Sequence, residues 1–400
     1  MALPPVRTIT LGIAEAHPLS RVVIERAAAI LKRGSERYTD AGYEVQTTRL
    51  STRPIFDDLA DWSLADVLTY AGELQRMLDD VGLGFCSLGT AQAARPGFPL
   101  EQIDLIADLL ASTSALNATV QLATLEDGLR VEAALPAAQV MGRLARETQE
   151  GFGNFRFAAL ACVEPGCPFF PTAYHAGSAS LSLGIQGASI INDVLRDYAR
   201  YSAQGSAEQA MPLPLSGITA RVRMALIAQA TPVVAMGQML AHEHGLRFGG
   251  IDLSPAPLGE DSIVAALELC GYGAIGDHGS IAAAAALTSA LKTTGLPTCG
   301  YCGLMLPVLE DAVLGRRWEE GHINTHQLLL YSAGCGTGLD TIPLPGAMPP
   351  EVIAHLLLDV ATLAVRWQKP LSARLFPVPG KQVGDRTTFT SPYLTNTLIR

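Results

Sequence analysis

The stretch VRTITLGIAEAHPLSRVVIERAAAILKRGSERYTDAGYEVQTTRL, residues 6–50, decides the fold class. Its opening VRTITLG is β-branched and stops at Gly12, the pattern of a short strand. Residues 18–41 place apolar side chains at helical spacing and end at Gly42, and residues 43–50 return to a strand pattern. Strand, helix and strand in this order form the repeating unit of an α/β fold.

The alternation continues outward from this unit. Helices are expected at 63–81, 99–114, 136–148, 189–201, 218–244 with a kink at Pro232, 262–270, 278–292 and 349–366. Strands are expected at 82–88, 119–123, 155–162, 180–186, 247–253, 304–306, 338–342 and 372–377. No interval reads as a linker and no repeat of about 20 to 50 residues is present, so residues 1–400 are expected to form one α/β domain.

Hydrophobic residues make up 48% of the chain and charged residues 16%, and the mean hydropathy is +0.25. That excess implies a large core, a homo-oligomer interface, or both. No run of about 18 uninterrupted apolar residues exists, and the richest stretch, 267–291, carries Glu268, Asp277 and His278, so no membrane partner is expected. The N-terminal segment lacks the sections of a signal peptide, which leads to the expectation of a cytoplasmic protein. Seven scattered cysteines fit reduced thiols, and a net charge of −10 with no basic cluster opposes nucleic-acid binding.

Six blocks carry a family resemblance: VRTITLGI at 6–13, FAALACVEPGCPFFPTAYHAG at 157–177, FGGIDLSPAP at 248–257, GDHGS at 276–280, LPVLED at 306–311 and GLDTI at 338–342. In order and spacing the chain resembles the family called domain of unknown function 711, also uncharacterised protein family 0210. The resemblance implies a ten-stranded α/β barrel similar to the pyruvate formate-lyase fold, and no reaction. Glycyl-radical enzymes share a C-terminal Arg-Val-x-Gly-aromatic loop. This chain ends TFTSPYLTNTLIR, and its nearest imitation, Arg247-Phe248-Gly249-Gly250, lies mid-chain, so radical chemistry is not expected.

Candidate chemistry concentrates after the strand at 155–162. There Glu164, Cys167, Tyr174 and His175 stand among Pro165, Pro168 and Pro171, whose rings stiffen the loop. His175 reads as a general base or metal ligand oriented by Glu164, with Tyr174 beside a substrate, or as a histidine satisfied by backbone. Asp252 ends an apolar strand and Ser254 shares its side, a pair suited to a metal or a substrate hydroxyl, or to capping the turn. Asp277-His278-Gly279-Ser280 precedes an alanine-rich helix, where backbone N–H groups favour an anion; Ser280 is equally an N-cap.

Glu310, Asp311 and Asp340 repeat the pattern of a carboxylate beside a strand, and with Asp252 they form a candidate site for Mg²⁺, Mn²⁺ or Ca²⁺. Arg374, Lys381 and Arg386 are candidates to grip a carboxylate or phosphate, or are ordinary surface charges. Cys299-Gly300-Tyr301-Cys302, with Cys335, is a weak zinc or redox signal, and no nucleotide motif is present. The expectation is an enzyme of acid/base chemistry on a small, polar, carboxylate-bearing metabolite. A divalent cation assists it, and His175 and His278 move protons with Glu164 in support. The alternative is a non-catalytic metabolite-binding regulator.

Overall fold

The computed structural model describes residues 3–203 and 212–400. Its strands are β1 (Val6–Gly12), β2 (Thr48–Ser51), β3 (Cys86–Ala91), β4 (Leu116–Thr124), β5 (Gly128–Leu129), β6 (Phe157–Ala161), β7 (Ser180–Ile185), β8 (Arg247–Asp252), β9 (Gly338–Pro345) and β10 (Leu371–Val378). Its helices are α1 (Arg21–Asp40), α2 (Ile55–Asp58), α3 (Leu64–Asp80), α4 (Leu105–Ala111), α5 (Ala134–Glu147) and α6 (Ala188–Ala203). They continue with α7 (Leu215–Glu243), α8 (Ile263–Leu269), α9 (Ser280–Lys292), α10 (Ala312–Glu320), α11 (Thr325–Gly334) and α12 (Pro350–Trp367).

The strands form one ten-stranded sheet in the order β8-β7-β1-β2-β3-β4-β6-β10-β9, with β5 paired to β4. Strands β1, β2, β3, β4 and β6 are mutually parallel. At one flank β7 joins β1 antiparallel and β8 follows parallel to β7. At the other, β10 joins β6 antiparallel and β9 follows parallel to β10. The mixed α/β class matches the sequence reading, but the ladder is open, because β8 and β9 end it without pairing to each other.

One irregular segment makes single parallel bridges on both sides of that gap. Thr298 pairs with Ile251 of β8, Leu304 with Gly336 ahead of β9, and Pro307 with Asp340 of β9. This segment includes Pro307, which lacks an N–H, and the glycines Gly300 and Gly303, which suit a bend better than a ladder. Residues 304–306, expected as a strand, belong to it.

Apart from β5 and the start of β8, the strands are largely buried on both faces, with opposite chemistry. Ile9, Leu11, Leu50, Leu116, Val120, Leu122, Leu181, Leu183, Leu371 and Leu375 join the helices in one apolar core. On the alternate positions Thr8, Thr10, Arg49, Ser51, Ser87, Asn117, Thr119, Gln121, Ser182 and Arg374 are buried too. A polar row held away from solvent requires internal partners, which makes this face the place to look for a site.

Helix α7 is long and apolar enough to cross a membrane by length and composition, which the apolar count over 267–291 did not single out. Its Ile218, Val222, Leu226, Val233 and Leu240 belong to the apolar core, and Pro232 lies within it. The expected strand at 43–50 shortens to β2, with 43–47 contributing only the bridge from Val45 to Val6. The expected helix at 99–114 divides into a 3-10 turn, Leu100–Ile103, and α4.

Candidate functional site

The chain between β6 and β7 crosses the polar face and is tied to β1, β3 and β4 and to the residue just past β2. Gln121 donates to the Val163 carbonyl (3.0 Å), Thr10 to Pro168 (2.8 Å) and Ser87 to Ala173 (2.5 Å). The Thr52 carbonyl, just past β2, accepts from the His175 N–H (2.9 Å). Tyr174 closes the loop on itself by donating to Val163 (2.8 Å).

Loop and strands together enclose a cavity of about 70 Å³. Arg7, Arg49, Arg374, Glu310 and Asp340 all line it. Arg374, from β10, donates through Nη2 to Glu310 and through Nε to Asp340 (2.6 Å), with its guanidinium 4.8 Å from the Phe155 ring centre. Arg49, from β2, stands 5.2 Å from the ring centres of both Phe85 and Phe170, and its Nε donates to Thr47 (2.9 Å). Arg7 lies at a register shift between Val6 and Thr8, an irregularity in the β1–β7 pairing, and donates to the amide oxygens of Gln46 (3.3 Å) and Gln186 (3.2 Å).

Among the described residues neither Arg7 nor Arg49 has a carboxylate partner, whereas Arg374 has two. Burial pushes the Arg49 guanidinium down to about 9, with Arg7 adding to the fall, and burial lowers Arg7 as well. Burial also acts to lower Arg374, but its two carboxylates overcome this and hold it high. Burial pushes Glu310 up, against the pull of Arg374, and neighbouring Asp340 adds to the rise. Facing these groups, the Tyr301 hydroxyl is 7% exposed at the residue level and has no hydrogen-bond partner.

Of the residues singled out from sequence, Arg374, Glu310 and Asp340 meet in this cavity and the others lie elsewhere. His175 is buried with its ring against Gly12, where a Cβ would fall 2.2 Å from Nδ1, and its Nε2 has no partner. Glu164 is exposed and makes no hydrogen bond to it. His278 and Gly279 are exposed at the start of α9, while Ser280 is buried and shares a 2.5 Å hydrogen bond with the Tyr331 hydroxyl. Lys381 is half-buried in the turn after β10, outside the cavity lining, and Arg386 pairs with Glu319.

Asp252 accepts from the backbone N–H groups of Ser254 (2.9 Å), Tyr301 (2.8 Å) and Cys302 (3.1 Å), and from the Ser254 hydroxyl (2.7 Å). It thereby anchors the 299–302 turn. Gly300 there has φ of 66°, and an added Cβ would lie 2.2 Å from the Asp252 carboxylate. Asp311 accepts from Ser262 Oγ (2.6 Å) and from four backbone N–H groups at the starts of α8 and α10. Asp252 and Asp311 are therefore backbone anchors, and the carboxylates do not converge on one point. No group of three or more metal-ligating side chains is present among the described residues. The cysteines there are free thiols, and burial pushes those of Cys299, Cys302 and Cys335 up, toward the unreactive form.

Through Thr52, whose carbonyl accepts from the His175 N–H, His175 is linked to a second buried imidazole. His17 bonds Tyr70 Oη through Nδ1 (2.7 Å) and Thr52 Oγ1 through Nε2 (2.8 Å). Burial pushes His17 down to about 4, with Asp58 opposing weakly. The unfolded chain takes up this proton near pH 6.5 and the folded chain near 4, so stability is lost as pH falls through that window. Urea midpoints at pH 6 and pH 5 are expected to fall further in wild type than in His17→Gln, by a difference of roughly 1.4 kcal/mol per pH unit. Parallel profiles would show that His17 titrates normally.

A family model described as "Uncharacterised ACR (DUF711)" matches residues 3–390. The chain belongs to the DUF711 family. Similar relatives are the UPF0210 protein of Oenococcus oeni, 26% identical over 96% of this chain and 88% of the relative, and that of Pyrobaculum arsenaticum, 30% identical over 91% and 80%. The UPF0210 protein of Pelotomaculum thermopropionicum is 28% identical over 96% and 88%. In this DUF711 chain three cavity residues escaped the sequence reading: Arg7, Arg49 and, as a side chain with a role, Tyr301. A signal for the first two was present. Each arginine interrupts a β-branched or apolar strand, where a charge is tolerated only if the fold gives it an internal purpose.

Proposed function

We propose that this DUF711 chain is an enzyme that binds a small, polar, carboxylate-bearing metabolite in the Arg7–Arg49–Arg374 cavity and acts on it by acid/base chemistry. The observation carrying this reading is a pair of guanidiniums, Arg49 buried and Arg7 half-buried, that form no ion pair among the described residues and face the same space as a carboxylate pair held by a third. A buried unpaired cation costs stability, and an anionic ligand offsets that cost through charge-assisted hydrogen bonds. Glu310 is the proton-transfer group, since burial moves its carboxyl toward the range useful at neutral pH. Arg374 and Asp340 position it.

In this reading the sheet works as a ten-stave barrel similar to the pyruvate formate-lyase fold, with the irregular 298–307 segment as the tenth stave. Support comes from the five parallel strands flanked on both sides by antiparallel joins, and from the bridges of that segment to both edges. The cation expectation narrows to Glu310 and Asp340, which Arg374 already holds and half-neutralises, so Mg²⁺, Mn²⁺ or Ca²⁺ would bind there in competition with it.

The test is proton exchange in D₂O, followed by NMR, for a panel of short hydroxy and keto acids with and without Mg²⁺. Wild type is expected to exchange hydrogen beside the carboxylate, and Glu310→Gln to lose roughly 10²- to 10⁴-fold in rate. Binding without exchange for any acid would replace this reading with the metabolite-binding regulator.

A further inference from the structure

The cavity's charge and its one orphaned hydroxyl narrow the class of ligand. With Glu310 in its base form, three guanidiniums face two carboxylates, which leaves a single positive charge. A monoanion neutralises that excess, whereas a dianion would leave a buried net negative charge at short range in low dielectric. Size gives a second limit. A space of about 70 Å³ lies well below the roughly 300–1,000 Å³ of a drug-sized ligand site, so the ligand is small.

Tyr301 supplies the third limit. It sits on the segment between β8 and β9, fixed at its own N–H by Asp252 at 2.8 Å, so its position is set by backbone and not by ligand. Its hydroxyl lies beside the Thr172 and Ser372 hydroxyls, which line the same cavity and act electrostatically on it, but neither meets it at both hydrogen-bond distance and angle. Burial drives the phenol far above its ordinary range, so it is a neutral group able to donate or accept. A buried hydroxyl without a partner is unfavourable, and a ligand group that pairs with it recovers that loss.

We infer that the cavity takes a small monocarboxylate bearing an uncharged hydroxyl, its carboxylate against Arg49 and Arg7 and its hydroxyl against Tyr301. This assignment rests on the proposed carboxylate reading of the same cavity and adds charge, size and the second contact to it. A site built to hydrogen-bond a hydroxyl rejects the analogue that lacks it far more strongly than an apolar pocket separates two sizes.

Calorimetric titration of the full chain tests this with three probes. Glycolate and propionate have equal numbers of non-hydrogen atoms and differ in hydroxyl against methyl, while oxalate carries a second charge. Wild type is expected to bind glycolate at least about tenfold more tightly than either propionate or oxalate. Tyr301→Phe is expected to keep propionate affinity and to bring glycolate within about threefold of it. Equal binding of glycolate and propionate, or tighter binding of oxalate, would overturn the assignment and leave the carboxylate reading standing. A glycolate preference that survives in Tyr301→Phe would remove Tyr301 from it. No binding of any of the three probes would overturn both. The wild-type comparison decides the charge and hydroxyl preferences even if the variant does not fold.

Discussion

Asp311→Ala is expected to be among the most destabilising single substitutions in the chain, lowering unfolding free energy by about 3–5 kcal/mol. The carboxylate caps α10 through Val313 and Leu314 and holds the start of α8 through Ser262, Ile263 and Val264. One cap is worth about 1 kcal/mol, and here a single fully buried group serves two helix starts whose dipoles both point at it. Alanine would leave the Ser262 hydroxyl and four N–H groups without an acceptor. Urea unfolding with and without a chelator measures the effect. A loss under about 1 kcal/mol would refute the anchor role, and a loss confined to chelator-free buffer would restore the metal reading of Asp311.

Arg49→Met is expected to have the second large effect, on binding and not on stability. Methionine keeps the contacts to Phe85 and Phe170 as an apolar side chain and removes a buried charge that forms no ion pair among the described residues. The variant should be at least as stable as wild type, because the desolvation cost exceeds what two ring contacts return. Its affinity for small carboxylates should fall about 30-fold or more, the weight of a charge-assisted, water-excluded pair. A destabilised variant that still binds would show that the guanidinium serves packing alone.

Much of the layout was legible from the chain because it depends on local pattern. The strands at residues 6–12 and 247–252, and the helices α1, α3, α9 and α12, follow from periodicity and glycine stops, and the structure places them within a few residues of expectation. The carboxylates were harder, since Asp252, Asp311 and Glu310 look alike from sequence, each beside an apolar run. What separates them is which N–H or guanidinium the fold brings near, and the partners come from 34 to 64 residues away for Arg374 and 49 to 50 for the Asp252 anchor. His278 attracted weight from its glycine-rich surroundings and turned outward because α9 starts only at Ser280. Arg49 passed unnoticed because a lone arginine in a four-residue strand reads as surface until both faces are known to be covered.

The cavity draws its cations from the first, second and last strands along the chain, so no short contiguous fragment holds a complete binding site. Occupancy is therefore linked to unfolding of the whole molecule, not to a local opening. By mass action a ligand at a hundred times its dissociation constant adds about 2.7 kcal/mol to global stability. That gain would register equally at α1 and at α12, far from any atom the ligand touches, and slow amide exchange throughout the sheet is its expected signature.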